Sequence, residues 1–112
     1  MAKSGILALA VLIGGALAGG AAMAADEGIA LSIKDHRFEP AEVVVPAGQK
    51  VKLLVTNNDA TPEEFESHAL DIEKVVPAGT TATITIGPLD PGRYEFVGEF
   101  HEDSAKGAIV AK

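Results

Sequence analysis

The stretch Arg93 to Gly107 reads R-Y-E-F-V-G-E-F-H-E-D-S-A-K-G. Tyr94 and Phe96 alternate with Arg93, Glu95 and Val97, the period-two pattern of a strand with one apolar face. Gly98 falls on the apolar phase but has no side chain. The strand leaves a Pro91-Gly92 turn and runs into a polar loop that carries Glu99, His101, Glu102 and Asp103. A short apolar strand, Ala108 to Ala111, follows at once. Strands joined by so short a connection pair side by side, so the chain ends in β-structure. Imidazole nitrogen and carboxylate oxygen on one loop are donor types that hold transition-metal ions, which makes this loop a candidate metal site.

The same grammar runs upstream. Ile29, Leu31 and Ile33 alternate with Ala30, Ser32 and Lys34 as a half-buried strand, and Asp35 to Pro40 breaks it. Pro40 removes a ladder donor and keeps Glu39 extended, which predicts a corner. Glu42 to Val45 is a second strand, Pro46-Ala47-Gly48 a turn, and Lys50 to Asn57 a third strand with Val51, Leu53 and Val55 toward the core. Asn58 to Glu63 is a polar loop, and Phe65 to Ile72 reads as a fourth strand. Lys74 to Gly79 contains another P-A-G turn, and Thr80 to Ile86 is a β-branched fifth strand. Arg93 to Val97 and Ala108 to Ala111 bring the expectation to seven strands. No sustained helical period follows Ala25, so the pattern predicts an all-β Greek-key sandwich in one domain, residues 25 to 112.

The first 24 residues read as a signal peptide: Lys3, the apolar run Ile6 to Ala18, and the A-x-A pattern Ala22-Met23-Ala24. Export to the periplasm is the expectation. The chain has no cysteine, which excludes disulfides, thiol catalysis and thiolate metal ligands. Its net charge of −7 repels a phosphate backbone, so nucleic acid is not an expected partner. An acidic surface instead draws cations or a basic protein.

Glu66 and His68 share a phase with Leu70 and Ile72, which must be buried. Read as one strand, the segment turns Glu66 and His68 into one end of the sandwich, where a carboxylate requires a cation or donors. Two acid–histidine groups result, Glu64, Glu66 and His68 on the fourth strand and Glu99, His101 and Glu102 on the last loop. His36 lies at the first corner and can reach the same end, and Lys106 can neutralise an acid there. No Ser/His/Asp context and no glycine-rich phosphate loop is present, and so small a domain offers little room for a hydrolase cleft.

Phe38-Glu39-Pro40, the P-A-G turn before a strand ending in Asn57-Asn58-Asp59, His68, the strand Pro91 to Phe96, and His101 three residues after Gly98 together resemble the cupredoxins. Blue-copper members of that family hold copper with two histidines, a cysteine and usually an axial methionine. The resemblance puts His68 and His101 in the histidine places, Gly98 in the cysteine place and Lys106 near the methionine place. Without a thiolate it implies neither a blue-copper centre nor its tuned potential. Glu64-Phe65-Glu66 is similar to the E-aromatic-E segment of EfeO-type cupredoxin domains of bacterial iron-uptake systems, which handle copper and iron beside a membrane iron permease. Cysteines common in that family are replaced here by Phe38 and Gly98.

The sequence thus predicts an exported, monomeric cupredoxin-like protein, not an enzyme, that binds a copper or iron ion for an iron-uptake system. Glu66, His68, Glu99 and His101 are the expected ligands, with Glu64, Glu102 and His36 as further ligands or orienting partners. The alternatives are copper electron transfer or ferrous oxidation, and a metal-free interaction module in which Glu66 and Glu99 pair with Lys106 or Arg93.

Overall fold

The computed structural model describes residues 28–112; the signal segment expected over the first 24 residues lies outside them. Among the described residues, nine strands form two mixed sheets, with one short 3-10 helix. In chain order the strands are β1 (Ile29–Lys34), β2 (Arg37–Glu39), β3 (Glu42–Val45), β4 (Val51–Asn57), β5 (Glu63–Ser67), β6 (Ile72–Val76), β7 (Thr81–Ile86), β8 (Gly92–Gly98) and β9 (Lys106–Ala111). The helical turn η1 (Glu99–His101) lies between β8 and β9. One sheet has the order β3-β9-β8-β5-β6 and the other β2-β1-β4-β7. The pairs β3–β9 and β1–β4 are parallel and require crossovers between the sheets, as a Greek-key sandwich does.

One core fills the space between the sheets. Leu31, Ile33, Leu53 and Val55 enter it from one sheet and Val43, Val45, Phe65, Phe96 and Ile109 from the other. Phe38, Phe65 and Phe96 form its aromatic centre. Phe96 lies 4.8 Å from both of the others between ring centroids, edge-on to Phe38 and tilted against Phe65. Such contacts add about 0.5–1.5 kcal/mol each beyond buried area.

The expected fourth strand, Phe65 to Ile72, is not continuous. β5 stops at Ser67, whose Oγ donates to the Glu95 carbonyl at 2.8 Å and accepts the Leu70 amide at 3.2 Å. The chain then turns through Asp71, in the left-handed region with φ 57°, before β6 starts at Ile72. β6 also occupies part of the segment read as a turn around Lys74. Leu70 and Ile72 do pack on the core, but from the far side of this turn. Phe65, fully buried, sets the phase of β5 instead, so Glu63 and Ser67 share its inward face. Glu64 and Glu66 face outward. A phase error of one residue exchanges the two faces of a strand, and it corrects the expectation that Glu66 and His68 point into the sandwich.

The corner between β1 and β2 is a tight hairpin. Asp35 and His36 both adopt left-handed backbone, with φ 54° and 59°, as a two-residue hairpin requires. The Asp59 carboxylate accepts both of their amides, at 2.7 and 2.9 Å. Partial burial pushes Asp59 upward, but the His36 and Asp35 amides outweigh it and hold the carboxyl below its ordinary value.

Candidate metal centre

Gly98 ends β8 against two neighbours. A Cβ at Gly98 would lie 2.7 Å from the Glu63 Cδ and 2.7 Å from the Ala105 Cβ. The place a side chain would take is therefore filled by the Glu63 carboxylate, which enters from β5 and is 1% exposed. Glu63 Oε2 lies 2.6 Å from His101 Nδ1. Its Oε1 accepts the amides of Phe100 at 2.9 Å and Glu64 at 3.0 Å. Behind this pair the His101 ring stacks on His36, with centroids 3.5 Å apart and planes 10° from parallel. The Ser104 hydroxyl donates to the His36 carbonyl at 2.6 Å and locks the hairpin to the loop.

This pole is closed on itself. Parallel stacked rings carry their nitrogen lone pairs in parallel planes, so His36 and His101 do not converge on one ion. His101 Nδ1 is already engaged, and Glu63 is satisfied by partners on both oxygens. Glu63 is a buried residue of this pole that the sequence pattern does not single out. Its signal is the alternation Glu63, Phe65, Ser67, legible only when Phe65 rather than Leu70 sets the core phase.

The remaining acids gather on the outer side of β5. One carboxylate oxygen each from Glu66, Glu99 and Glu102 lies within 4.8 Å of the others. Glu66 comes from the strand; Glu99 and Glu102 come from η1 and the residue after it. The Glu66 side chain is 7% exposed, covered by its neighbours on the face of the sheet. Among the described residues no N–H donor reaches it; His68 Nε2 is 3.7 Å from its Oε2, and the His68 side chain is 90% exposed. Two metal–ligand bonds of about 2.1 Å reach across at most about 4.2 Å, so carboxylates at the outer limit of the 4.8 Å separation close by a few tenths of an ångström around an ion. A groove of about 470 Å³ opens beside Glu66, with His68 on one wall and Arg93 and Glu95 on the other.

The cluster is electrostatically uncompensated. The Glu64 carboxyl is pushed up to about 7, first by a hydrogen bond shared with Glu99, then by lost hydration and the charges of Glu99, Glu73 and Glu66. Glu66 is raised by lost hydration, by Glu99 and by Glu73, with His68 partly offsetting. Arg93 bonds Glu42 at 2.6 Å and approaches Glu95 at 4.0 Å, so it neutralises neither Glu66 nor Glu99. Lys106 joins no ion pair among the described residues. The charge arrangement expected of a metal-free interaction module is thus not the one found.

The folded chain holds the Glu64 proton up to about pH 7, whereas an ordinary glutamate releases it near 4.5. Between these values the folded state binds more protons, so this group's contribution is most favourable at low pH and is lost as pH rises through about 7. The melting temperature of the metal-free protein is expected to fall as pH rises across that interval, and Glu64→Gln to flatten the slope. Thermal melts in buffers of constant ionic strength check this.

The sandwich has counterparts among known proteins. Residues 5–111 match the family described as the cupredoxin-like domain. The chain belongs to that family. An uncharacterized protein of Rickettsia prowazekii (strain Madrid E) is 46% identical over 82 residues, covering 73% of this chain and 66% of the relative's length. Among solved structures, a reduced point mutant of amicyanin is similar with a TM-score of 0.65 at 19% identity, over 82% of this cupredoxin-like chain and 89% of that one. Auracyanin A, a "blue" copper protein from Chloroflexus aurantiacus, gives 0.64 at 17% identity, over 75% and 97%. At these identities the likeness is one of fold.

The residues present do not fit a blue-copper centre. This cupredoxin-like chain has no cysteine, the space at Gly98 is taken by Glu63 and Ala105, and His101 faces a carboxylate instead of a second histidine. His68, to which the resemblance gives a histidine place, instead lies beside Glu66 with its side chain 90% exposed. The structure brings together Glu66, Glu99 and Glu102 with Glu64 and His68 alongside, and sets His36 and His101 apart in the stack.

Proposed function

We propose that this cupredoxin-like domain is a cation-binding protein, not an enzyme, whose ion is held on the outer acidic cluster and not at the family's copper pole. One observation carries the reading: three carboxylates from two chain segments converge within 4.8 Å, and one of them, Glu66, is covered and without an N–H donor. A buried carboxylate among like charges, with only an exposed histidine 3.7 Å away as a possible counter-charge, is costly unless a cation joins it. Glu66, Glu99 and Glu102 would hold the ion; Glu64 and His68 stand beside them as further donors. Oxygen-rich ligation favours hard cations such as iron or Mn(II), while Cu(II) binds most tightly to any mixed nitrogen and oxygen set. Copper or iron handling in the periplasm, beside a membrane iron permease, is the physiological role proposed, supported by the likeness to EfeO-type domains and by an open surface suited to loading and release. Electron transfer is disfavoured by the closure of the pole around Glu63.

Titration of the metal-free protein with Mn(II), Fe(II) and Cu(II), followed by calorimetry, tests this. Saturable binding of one ion with proton release near neutral pH is expected, and Cu(II) should bring no thiolate charge-transfer band. Absence of saturable binding by every one of these ions contradicts the reading.

A further inference from the structure

We propose that Glu63 is the positioning residue of the cation site, its buried carboxylate holding the segment that carries Glu99 and Glu102 against the strand that carries Glu64 and Glu66. The inference rests on the reading of the acidic cluster as a cation site.

Like charges from two segments repel, so an empty cluster requires something that keeps the segments together. The sheet holds the segment only as far as Gly98. The β5–β8 ladder ends at the pairs Phe65 with Gly98 and Glu66 with Val97, one residue before η1. Beyond Gly98 the backbone bonds of the loop close upon the loop itself: Gly98 donates to Ala105, and Ala105 and Ser104 donate to His101. Among the described residues, β5 and η1 are joined by side chains in two places: the hydrogen bond that Glu64 shares with Glu99 at the surface, present only while one of the two is protonated, and the buried hydrogen bonds of Glu63. Its Oε1 bridges the Glu64 amide on the strand to the Phe100 amide on η1, and its Oε2 takes His101 Nδ1. Phe100 and His101 lie between Glu99 and Glu102 along the segment, so fixing the first two fixes where the two acids stand. Gly98 is part of the device, because a Cβ there would displace the carboxylate. The His36 ring and the Ser104 hydroxyl brace the loop from the opposite side, through the β1–β2 hairpin.

The test compares Glu63→Gln with Glu63→Met in the full chain. Glutamine keeps an oxygen acceptor for the Phe100 and Glu64 amides; methionine has similar length but offers no comparable acceptor. Two quantities are read: Mn(II) affinity by electron paramagnetic resonance, and amide exchange of Phe100 in the metal-free protein. Glu63→Gln is expected within about threefold of the parent affinity, and Glu63→Met weaker by about tenfold or more, the scale of losing an orienting partner. In Glu63→Met the Phe100 amide should exchange at least about tenfold faster, while Leu53 and Val55 keep their rates. Equal loss in both variants would mean that the Glu63 charge acts on the ion directly, and would overturn the positioning role. Unchanged affinity in both would overturn it too. A Phe100 amide exchanging at the unprotected rate in the parent protein overturns it without any variant, whether or not Glu63→Met folds. The exchange arm needs no ion, so failure of Mn(II) to bind the parent sinks the cation reading separately.

Discussion

Replacing Glu66 and Glu99 together by glutamine is expected to weaken Mn(II) binding by about 100-fold or more, a loss of at least ~2.7 kcal/mol. Glu66 is covered on the sheet face and Glu99 lies on η1, so the double change removes one charged oxygen donor from each side of the cluster. At a few ångströms from a divalent ion near a protein surface, each charge is worth several kcal/mol before solvation is counted. Neutral amide oxygens recover part of the coordination but none of the charge. The same change relieves repulsion in the metal-free protein, so its melting temperature should hold or rise. That opposition of sign separates loss of a site from loss of fold. Calorimetric titration and thermal melts on the same preparation read both.

Phe65→Ala is expected to lower stability by about 3–5 kcal/mol, the usual range for deleting a buried phenylalanine side chain. Phe65 is fully buried, its ring centroid lying 4.8 Å from Phe96 and 6.1 Å from Phe38. The flanking Glu64 and Glu66 lie on the cluster side of the strand, so the alanine variant also loosens the base on which the site stands. Urea unfolding should show a lower midpoint with little change of slope.

The sandwich is legible in the sequence because its signals are local. The alternation in β1, β4 and β8, the P-A-G turns and the Thr-rich β7 each specify strand or turn with no help from distant residues. The site is legible only as composition. Glu64, Glu66, Glu99 and Glu102 are candidates by residue type and do gather, because strand phase and a short loop set their places. His68 is misplaced by the sequence pattern because Leu70 and Ile72 continue an apolar alternation across a turn that Ser67 and Asp71 create. Glu63 reads as no more than the last residue of a polar loop. Its partners are two backbone amides and an imidazole 38 positions away, none of which leaves a mark in local sequence. The His36–His101 stack is hidden for the same reason: it depends on a left-handed hairpin turn held by Asp59.

The most direct test is a crystal of the metal-free protein soaked with Mn(II) and measured for anomalous scattering. A single strong peak among the carboxylate oxygens of Glu66, Glu99 and Glu102, with the Glu63–His101 pair and the His36 stack intact, is the expected result. A peak at His101 that opens the Glu63 pair, with the acidic cluster empty, would place the metal at the family's pole and contradict the account.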